Sequence, residues 1–236
     1  MSVNRDLLFD VPAYLEINHA RWEVAERLLE DLKSNNIQLE TCFDFGAGPG
    51  WFTKRLCAYG LDTIALEARV EIVEVGRKRV PECRFELFDF DDFGMDRILP
   101  PRDFSLAFGI LYHLESPLRA LRMMAKMTKK IMLLETMIIP GEDEFARIVK
   151  ENPNETQGMQ PLATILTQSA VERAIWACGF EYIYQINTVL DHADFKSTED
   201  RHPRRSIWVM CRTPLKLRDF KLLELEVPKR ANYWEK

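Results

Sequence analysis

The sequence predicts an α/β protein built on a doubly wound, mostly parallel seven-stranded sheet with an antiparallel edge hairpin. Between residues 41 and 136, short apolar runs alternate with amphipathic helical patterns, and this alternation is typical of βαβ units. A turn with three glycines directly follows the first apolar run. Near the end of the chain, a helical pattern precedes two strand-like runs without a helix between them, which predicts the antiparallel pair.

Composition excludes several classes of protein. The chain has 236 residues, which suits one large α/β domain or two small ones. Its net charge of −5 argues against a broad basic face that coats nucleic acid, although a local basic patch is compatible with it. No run approaches the roughly 18 apolar residues of a spanning helix, and the N-terminus has no apolar signal core. We therefore expect a cytoplasmic protein with no membrane segment; the pattern predicts no particular oligomeric state.

The five cysteines are odd in number and include no Cys-x-x-Cys pair. Three of them lie in apolar runs, where a free cysteine behaves as a small hydrophobic residue. This usage predicts reduced thiols and no structural zinc site. The stretch Asp191-His192-Ala193-Asp194, with His202, has the residue types of a metal site, but its spacing matches no defined ligand set, so no metal is predicted.

The first predicted element is a helix, and buried strands of the parallel type follow it, with helices between them. An apolar stripe at spacings of three, four and seven predicts the helix from Ala13 to about Asn35. Residues 1–37 form a predicted N-terminal helical arm. The strands are predicted at 41–45, 63–66, 83–88, 104–108 and 130–136, and the helices between Pro49 and Gly60, at 70–79 and at 118–127.

Residues 137–166 interrupt this alternation with three turn-rich stretches. An insertion of this length is too long to be a neutral connector. It is either a surface excursion with one helical turn near Phe145 to Lys150, or a lid that forms a wall of the substrate site. The second interpretation follows from its position, because it leaves the sheet at the edge where ligands bind.

The last part of the chain is predicted to complete the sheet. Its pattern indicates a helix at 167–178 and strands at 180–190 and 206–211. With these elements, the principal domain spans residues 38–214. The tail, 215–236, either extends the hairpin or packs on the body of the protein.

The stretch that follows the first strand suggests a ligand. It joins a buried run that ends in Asp44-Phe45 to a helix through Gly46-Ala47-Gly48-Pro49-Gly50. Glycines let the chain turn sharply and let a ligand approach the backbone where a Cβ atom would collide. The helix that follows presents unpaired N–H groups and the positive end of its dipole. This geometry suits a nucleotide-like ligand at the tip of a parallel strand.

Three acids fall at successive strand ends, namely Asp44, Glu67 and Asp89. Glu67 lies 21 residues after Gly46, where a carboxylate commonly binds both hydroxyls of a ribose. Asp89 can accept a hydrogen bond from an exocyclic amine such as that of adenine. A single acid at a strand end is explained by its exposure to solvent. Acids at the ends of three successive strands, together with a glycine turn, are rarely obtained by chance.

The competing interpretation is a dinucleotide-dependent dehydrogenase. Its fingerprint places glycine at the first, third and sixth positions; here the glycines occupy the first, third and fifth, and the sixth residue is Trp51. A large indole would crowd the close helix–strand packing that the third glycine of that fingerprint permits. The turn also begins with Asp44, which is well placed to meet an ammonium group. These features favour a ligand with an adenosine and an amino acid, which is S-adenosylmethionine.

The motif series resembles that of the class I S-adenosylmethionine-dependent methyltransferases, which have a Rossmann-like fold. The resemblance covers roughly residues 38–138 and implies a cofactor site shared among the strand ends. Its motifs are Asp44-Phe45-Gly46-Ala47-Gly48-Pro49-Gly50, Glu67, Asp89 and Gly109-Ile110-Leu111-Tyr112-His113-Leu114. The implied contacts are Asp44, Gly46, Ala47, Gly48 and Gly50 with the methionine part, Glu67 with the ribose, Asp89 and Phe90 with the adenine, and Gly109 and Ile110 beside the sulfonium.

A closer resemblance is to the group of the tRNA wobble-uridine carboxymethyltransferase, which uses carboxy-S-adenosylmethionine. It is carried by Gly109-Ile110-Leu111-Tyr112-His113, followed by Ser116-Pro117-Leu118, which resembles the strand-four segment of that group. The run Leu134-Glu135-Thr136 and the stretch from Ala174 to Phe180 are also similar.

The carboxylate-binding residues of that group include a lysine beside a tryptophan, a tyrosine and a late arginine. The matching positions are Arg21 before Trp22, Tyr112, and Arg204 or Arg205. Arginine in place of lysine is a departure, because the two cations are not interchangeable. The resemblance thus implies a substrate-binding role for Arg21, Tyr112 and Arg205.

Tyr112 and His113 are the candidate catalytic residues, because they lie where a substrate would meet the methyl group. His113 is either a general base, since imidazole titrates near neutral pH, or a packed residue behind the pocket. The sequence is compatible with three functions. They are methyl transfer to a small-molecule acceptor, carboxymethyl transfer to a tRNA uridine, and a non-catalytic cofactor-binding scaffold.

Overall fold

A sheet of ten strands organises the part of the chain that the structure describes. The beginning of the predicted arm, the end of the predicted tail and His202 lie outside that part. The structure is a computed structural model, and it describes residues 7–92, 94, 98–139, 143–196 and 204–225.

Helices and strands alternate along the first two thirds of the chain. The helices are α1 (Pro12–Ser34), α2 (Trp51–Ala58), α3 (Val70–Arg79), α4 (Pro117–Met127) and α5 (Gln168–Trp176). The strands are β1 (Thr41–Phe45), β2 (Asp62–Glu67), β3 (Arg84–Leu87), β4 (Arg102–Phe108), β5 (Thr128–Ile139), β6 (Ala146–Lys150), β7 (Leu162–Thr167), β8 (Tyr182–Ile186), β9 (Arg205–Cys211) and β10 (Phe220–Leu222). Short 3-10 turns occur at Leu8–Asp10, Leu111–His113 and Ala193–Phe195.

The strand order is β10-β8-β9-β5-β4-β1-β2-β3, and β1 to β5 run parallel to one another. β9 runs antiparallel between β5 and β8, and β10 adds an antiparallel strand outside β8. The predicted fold class is confirmed: β1 to β5, β8 and β9 are the seven expected strands, and β8 with β9 is the antiparallel pair. In such a sheet, ligands bind beyond the carboxyl ends of the parallel strands.

Strands β6 and β7 form a hairpin within the 137–166 insertion. β6 pairs antiparallel with β7, with Ala146 opposite Leu166, and β7 runs parallel to the end of β5, where Ile138 lies opposite Leu166. The predicted helical turn near Phe145 to Lys150 is therefore wrong, because this segment is a strand. Its conformation comes from pairing with distant residues, which turn-rich local composition does not reveal.

Two helical layers cover the sheet and bury its apolar side chains. α1 and α2 pack on one face, against residues such as Leu106 and Leu133. α4 and α5 pack on the other face, against residues such as Phe45 and Leu134. Burial of apolar surface stabilises this layered arrangement by about 25 cal/mol per Å². It thereby holds the ends of the strands, and the residues that follow them, in defined positions. No helix among the described residues is both long and apolar enough to cross a membrane.

The segment after β9 returns to the body of the protein. β10 pairs with β8, with Phe220 opposite Ile186, so the tail extends the antiparallel pair, which is one of the two predicted outcomes. The backbone N–H of Arg218 donates to Oδ2 of the buried Asp31 at 3.0 Å. The tail is thereby attached to the C-terminal end of α1.

Two of the five cysteines are paired in the structure. Cys57, near the end of α2, and Cys83, just before β3, form a disulfide with Cα atoms 6.8 Å apart. The prediction of reduced thiols is therefore wrong for this pair. The pairing arises because α2 and the chain entering β3 lie side by side, a proximity that a sequence separation of 26 residues does not reveal.

Gly76 lies where α3 packs closely on β3. A Cβ atom at this position would overlap the ring of Phe85. We expect Gly76→Ala to lower the free energy of unfolding by about 1–3 kcal/mol, the usual effect of overpacking, although alanine is favoured over glycine in helices by about 1 kcal/mol. Urea denaturation measures the change, with Lys78→Ala at an exposed position of α3 as the control. Unchanged or higher stability of Gly76→Ala would contradict the contact.

Candidate active site

A cavity of about 490 Å³ opens at the carboxyl ends of β1, β2 and β4. It is lined by the glycine turn after β1, the end of β2, the segment after β3 and the turn after β4. The first half of α1 and residues 156–159 of the insertion complete it. The cavity therefore lies where a doubly wound sheet binds its ligands.

The turn after β1 is held by backbone hydrogen bonds and requires glycine. The N–H groups of Gly46 and Ala47 donate to the carbonyl of Leu66 at 2.9 and 3.0 Å, which ties the turn to β2. Gly50 begins α2 with a φ of 91°, and a Cβ atom there would lie 2.7 Å from the ring of Phe85. A side chain at Gly50 would be strained in conformation and short of space. The turn can therefore hold its backbone close to a ligand.

The end of β4 meets α1 at Gly109. The φ of this residue is 72°, and a Cβ atom there would lie 3.2 Å from Nη2 of Arg21. The next residue, Ile110, lies against Gly46 of the glycine turn. Gly109 thus lets a buried guanidinium group approach the strand end that borders the cavity.

Glu67 ends β2 at the cavity and is 4% exposed. Its Oε2 accepts a hydrogen bond from the N–H of Gly48 at 3.1 Å. Its Oε1 accepts from the N–H and from Nη1 of Arg69 at 3.0 and 3.1 Å. These donors hold the carboxylate in one orientation beside the glycine turn, at the place where the sequence predicted a ribose-binding acid.

Asp89 and Phe90 follow β3 and line the same cavity. Oδ1 of Asp89 accepts from the N–H of Asp91 at 2.9 Å, and burial raises the pKa of Asp89 above its ordinary value. Phe90 is buried, with its ring edge-on to that of Phe45. An aromatic ring with a hydrogen-bond acceptor beside it suits a flat base that carries an amine.

Asp44 is at the end of β1 but does not line the cavity. It is 2% exposed, and its Oδ2 accepts from Oγ1 of Thr53 at 2.6 Å. Burial raises the pKa of Asp44 to about 7, although hydrogen bonds from Thr53 act in the opposite direction. The carboxyl group thus binds α2 in this structure, and its contact with an ammonium group stays a prediction.

Asp44 gives the free energy of unfolding a specific pH dependence. Its pKa is raised from 3.8 to about 7 on folding, so its contribution to stability is full at low pH and is lost as the pH rises through the folded pKa. Asparagine keeps the shape without the titration. We expect the stability of Asp44→Asn, relative to the unsubstituted protein, to increase between about pH 4 and 7, by up to about 1.4 kcal/mol per pH unit. Urea unfolding at several pH values measures this; a constant difference would contradict the raised pKa.

A buried ion cluster lies at the end of β5, next to Gly109. Glu135 is fully buried; its Oε2 lies 2.7 Å from Nη2 of Arg21, and its Oε1 accepts from Nη1 of Arg205 at 2.9 Å. Nε of Arg205 also donates to Oδ2 of Asp194 at 3.2 Å. Burial is the largest single effect and disfavours the charged form of Arg205, but Glu135 and Tyr112 together outweigh it and raise the pKa of the guanidinium. Arg21 lines the cavity, whereas Arg205 does not.

One tyrosine joins this cluster to the cavity, and a second lines the cavity nearby. Nη2 of Arg205 donates to the hydroxyl oxygen of Tyr112 at 3.1 Å. Tyr14 of α1 lines the cavity as well, and burial raises the pKa of its hydroxyl group. Nη1 of Arg21 donates to Asn18 at 3.0 Å, whereas the buried Nε of Arg21 has no acceptor among the described residues. The cluster therefore retains an unused donor next to the cavity.

His113 lines the cavity beside Tyr112 and is paired with a carboxylate. Its Nδ1 lies 2.6 Å from Oε1 of Glu151, which the insertion supplies directly after β6. Both members of this pair are buried, each 9% exposed. When the carboxylate accepts the hydrogen of Nδ1, Nε2 is the ring nitrogen that can take up a proton.

The segment Leu8–Asp10 lies over the glycine turn. The ring of Phe9 packs on Gly48. Both carboxylate oxygens of Asp10 accept from Arg79 at the end of α3, at 2.8 and 2.7 Å. This hydrogen bonding lowers the pKa of Asp10 below its ordinary value. An ion pair thereby fastens the segment to the opposite rim of the cavity.

Most of the predicted site residues line this cavity. Asp44 and Arg205 do not, and Arg205 is connected to the cavity through Tyr112. The predicted residues that line it are Arg21, Gly46, Ala47, Gly48, Gly50, Glu67, Asp89, Phe90, Gly109, Ile110, Tyr112 and His113.

Several further residues of the site were not predicted from the sequence. Tyr14 and Asn18 share a face of α1 with Arg21, at spacings of four and three, and this polar interruption of an apolar helix was a usable signal. No local sequence pattern marks Glu151 as a site residue, because its contact with His113 depends on how the hairpin folds. The unpredicted residues include Phe9, Asp10, Tyr14, Asn18, Arg69, Arg79 and Glu151.

No family model matches the chain, and no curated protein matches it. Solved structures do match. The N-terminal domain of EvdMO1, with S-adenosylhomocysteine (SAH) bound, is 18% identical, with 86% of this chain and 81% of that chain covered and a TM-score of 0.62. Magnesium protoporphyrin IX methyltransferase (ChlM) from Synechocystis PCC 6803, with bound S-adenosylmethionine, is 13% identical over 86% and 84% of the two chains, with a TM-score of 0.57.

An S-adenosylmethionine-dependent methyltransferase from Mesorhizobium loti is also similar in structure. It is 16% identical over 74% of this chain and 91% of that chain, with a TM-score of 0.55. At these low sequence identities, the structural similarity establishes a shared fold alone. The chain therefore has the fold of the S-adenosylmethionine-dependent methyltransferases.

Proposed function

We propose that this protein is an S-adenosylmethionine-dependent methyltransferase that acts on a small-molecule acceptor. The observation that carries the proposal is the convergence of the glycine turn, Glu67 and Asp89 on one cavity. They follow β1, β2 and β3, which are adjacent strands of the sheet. Each group suits a different part of the cofactor, namely the methionine, the ribose and the adenine.

The residues that line the cavity fit this cofactor. Glu67 presents a carboxylate to ribose hydroxyls, and Asp89 and Phe90 present an acceptor and an apolar ring to the adenine. The Gly46–Gly50 turn leaves room for the methionine part because its glycines project no Cβ atoms. When bound, S-adenosylmethionine supplies an electrophilic methyl group on a positively charged sulfur. Ile110 and the other apolar side chains at the cavity exclude water, and much of the rate would come from positioning the acceptor.

Structural neighbours support this cofactor and a small acceptor. ChlM was solved with S-adenosylmethionine and with SAH, and the N-terminal domain of EvdMO1 was solved with SAH and also in the presence of SAH and D-fucose. The cavity of about 490 Å³ has the size of a typical small-molecule site.

Isothermal titration calorimetry with S-adenosylmethionine, SAH, NAD and NADP tests the proposal. We expect both sulfur-containing ligands to bind and neither dinucleotide to do so. Binding of a dinucleotide without binding of either sulfur ligand would refute it. Product formation by the isolated chain would, in addition, exclude a purely non-catalytic scaffold.

A second candidate is carboxymethyl transfer from carboxy-S-adenosylmethionine to a tRNA uridine. It is favoured by the convergence of Arg21, Tyr112 and Arg205, the three positions that match the carboxylate-binding residues of that group. The Nε of Arg21, which has no acceptor in the part of the chain that the structure describes, is a buried donor that a ligand carboxylate would satisfy. Glu135 and Asp194 together balance the charges of Arg21 and Arg205, so the cluster offers such a carboxylate a hydrogen-bond donor and not a net positive charge.

Calorimetry on the unsubstituted protein and on Arg21→Ala measures which group donor, S-adenosylmethionine or carboxy-S-adenosylmethionine, binds more tightly. Carboxymethyl transfer requires a preference for the carboxylated donor of about tenfold or more, equivalent to one charge-assisted hydrogen bond, and its loss in Arg21→Ala. Lys54→Ala, at another cation that lines the cavity, is the control. The second candidate fails if both donors bind equally, or if Arg21→Ala leaves the preference unchanged.

A further inference from the structure

The cofactor contacts do not account for the pair formed by His113 and Glu151. His113 lines the cavity, whereas Glu151 does not and lies with its Oε1 2.6 Å from Nδ1 of the ring. Burying a carboxylate is unfavourable unless it is hydrogen-bonded, and the ring supplies that hydrogen bond. The two residues come from separate segments, the turn after β4 and the β6–β7 hairpin, so the hairpin places a carboxylate behind the histidine that lines the site.

Backbone contacts hold the hairpin against the turn after β4. Thr164 of β7 donates its N–H to the carbonyl of Leu114 and its hydroxyl to the carbonyl of Glu115, both at 2.9 Å. The N–H of Glu151 donates to the carbonyl of Pro161, also at 2.9 Å. The position of the Glu151 carboxylate is therefore set by several bonds and not by a single side-chain contact.

We propose that Glu151 is a positioning residue that makes His113 the base for an acceptor hydroxyl group. The inference rests on the proposed methyltransferase function and names the acceptor class as an alcohol or a phenol. Glu151 accepts the hydrogen of Nδ1, so the neutral ring keeps its lone pair on Nε2. His113 then presents a proton acceptor from the wall of the cavity.

A hydroxyl acceptor needs this base, because its oxygen must lose a proton when it becomes an ether. The acceptor oxygen forms a bond to the methyl carbon, the bond between that carbon and sulfur breaks with its electron pair kept by sulfur, and the hydroxyl proton moves to Nε2 of His113. The carboxylate of Glu151 stabilises the imidazolium that results. A neutral amine has its lone pair available and does not need a base in order to attack.

Nitrogen-15 NMR tests the tautomer without any turnover. The chain has four histidines, so His113→Asn identifies the His113 signals. At about pH 8, above the ordinary range of imidazole titration, we expect the Nδ1–H tautomer in the unsubstituted protein and its loss in Glu151→Leu. Glu151→Gln should retain it, because the amide oxygen still accepts. An Nε2–H tautomer in the unsubstituted protein, or no change in Glu151→Leu, would overturn the proposal.

Methyl transfer from S-adenosylmethionine to two probes of matched shape, catechol and 1,2-diaminobenzene, tests the acceptor class. We expect transfer to catechol and a fall in kcat of about 100-fold in Glu151→Leu, the scale of general-base catalysis, with KM for the donor unchanged. His113→Asn should lose as much, and the double variant no more, because the two residues act as a unit. Transfer to the diamine alone or to neither probe, or additive losses, would contradict the proposal.

Calorimetry with SAH separates a failure of this inference from a failure of the proposed function. Absence of SAH binding by the unsubstituted protein would refute methyl transfer, whatever the tautomer of His113. Equal SAH affinity in the unsubstituted protein and in all the variants shows that each variant is folded. With that result, an unchanged tautomer in Glu151→Leu would refute the role of Glu151 alone.

Discussion

Glu67→Ala is expected to raise the Kd for S-adenosylmethionine by at least about 100-fold, because two hydrogen bonds to a carboxylate, each worth about 1.5 kcal/mol or more, are lost. The side chain is 4% exposed, and the donors on Gly48 and Arg69 already hold it in place. Its orientation is therefore established before the ligand arrives, which keeps the entropic part of binding small. Isothermal titration calorimetry measures the change directly.

Two further variants test whether a change in Kd comes from loss of the Glu67 carboxylate itself. Glu74→Ala, at an exposed position of α3, should leave the Kd unchanged. Glu67→Gln keeps the shape and one acceptor oxygen, and should fall between the alanine variant and the unsubstituted protein. Thermal unfolding without ligand shows whether Glu67→Ala is folded. A folded Glu67→Ala that binds S-adenosylmethionine as tightly as the unsubstituted protein would exclude a ribose-binding role.

Glu135→Ala is expected to lower the free energy of unfolding by about 3–5 kcal/mol, because removing one partner of a buried ion pair leaves an uncompensated charge. Glu135 is fully buried between Arg21 and Arg205, at 2.7 and 2.9 Å. Its loss would leave two guanidinium groups facing each other, with Asp194 as the remaining acidic partner of Arg205. Urea denaturation measures the change in stability.

The matched control is Glu144→Ala, which removes an ion pair with Arg173 whose side chains are 47% and 33% exposed. Pairs exposed to this degree contribute about 0–1 kcal/mol. A loss for Glu135→Ala no larger than that of the control would mean that the arginines find other partners or water. The cluster would then be a polar feature of the cavity wall and not a support of the fold.

The side of the cavity at the strand ends could be predicted because its residues directly follow the strands. In a parallel sheet, right-handed crossovers bring the carboxyl ends of the strands to one edge. Glu67 and Asp89 could therefore be assigned to that edge from chain order alone, beside the glycine turn. The positions of strands β1 to β5 followed from the same alternation of apolar runs and helical patterns.

Asp44 marks the limit of that reasoning. Successive side chains of a strand point to opposite faces, and an acid at a strand end can turn toward the ligand or toward a helix. The sequence places Asp44 at the strand end but does not decide between these directions. In the structure its carboxyl group binds Thr53 of α2.

The opposite side of the cavity depends on contacts between distant segments. Glu151 meets His113 across 38 residues, and Arg205 meets Tyr112 across 93. Arg205 was found because a family resemblance supplied it, whereas Glu151 lay in a turn-rich insertion without a recognisable pattern. The same insertion produced the incorrect helical turn, because strand pairing overrides local preference.

The ion pair between Asp10 and Arg79 has a kinetic consequence. The two side chains are 40% and 39% exposed, and pairs of this kind contribute about 0–1 kcal/mol. The ion pair therefore adds only weakly to the packing of Phe9 on Gly48 and to the hydrogen bond from the N–H of Leu8 to Glu155, which also hold the Leu8–Asp10 segment. Dissolved ions weaken exposed pairs further. On the proposed function, we expect the residence time of a bound cofactor to shorten as ionic strength rises, because the segment that covers the glycine turn is then held less firmly. Product can leave by displacement of this segment, without any rearrangement of the sheet.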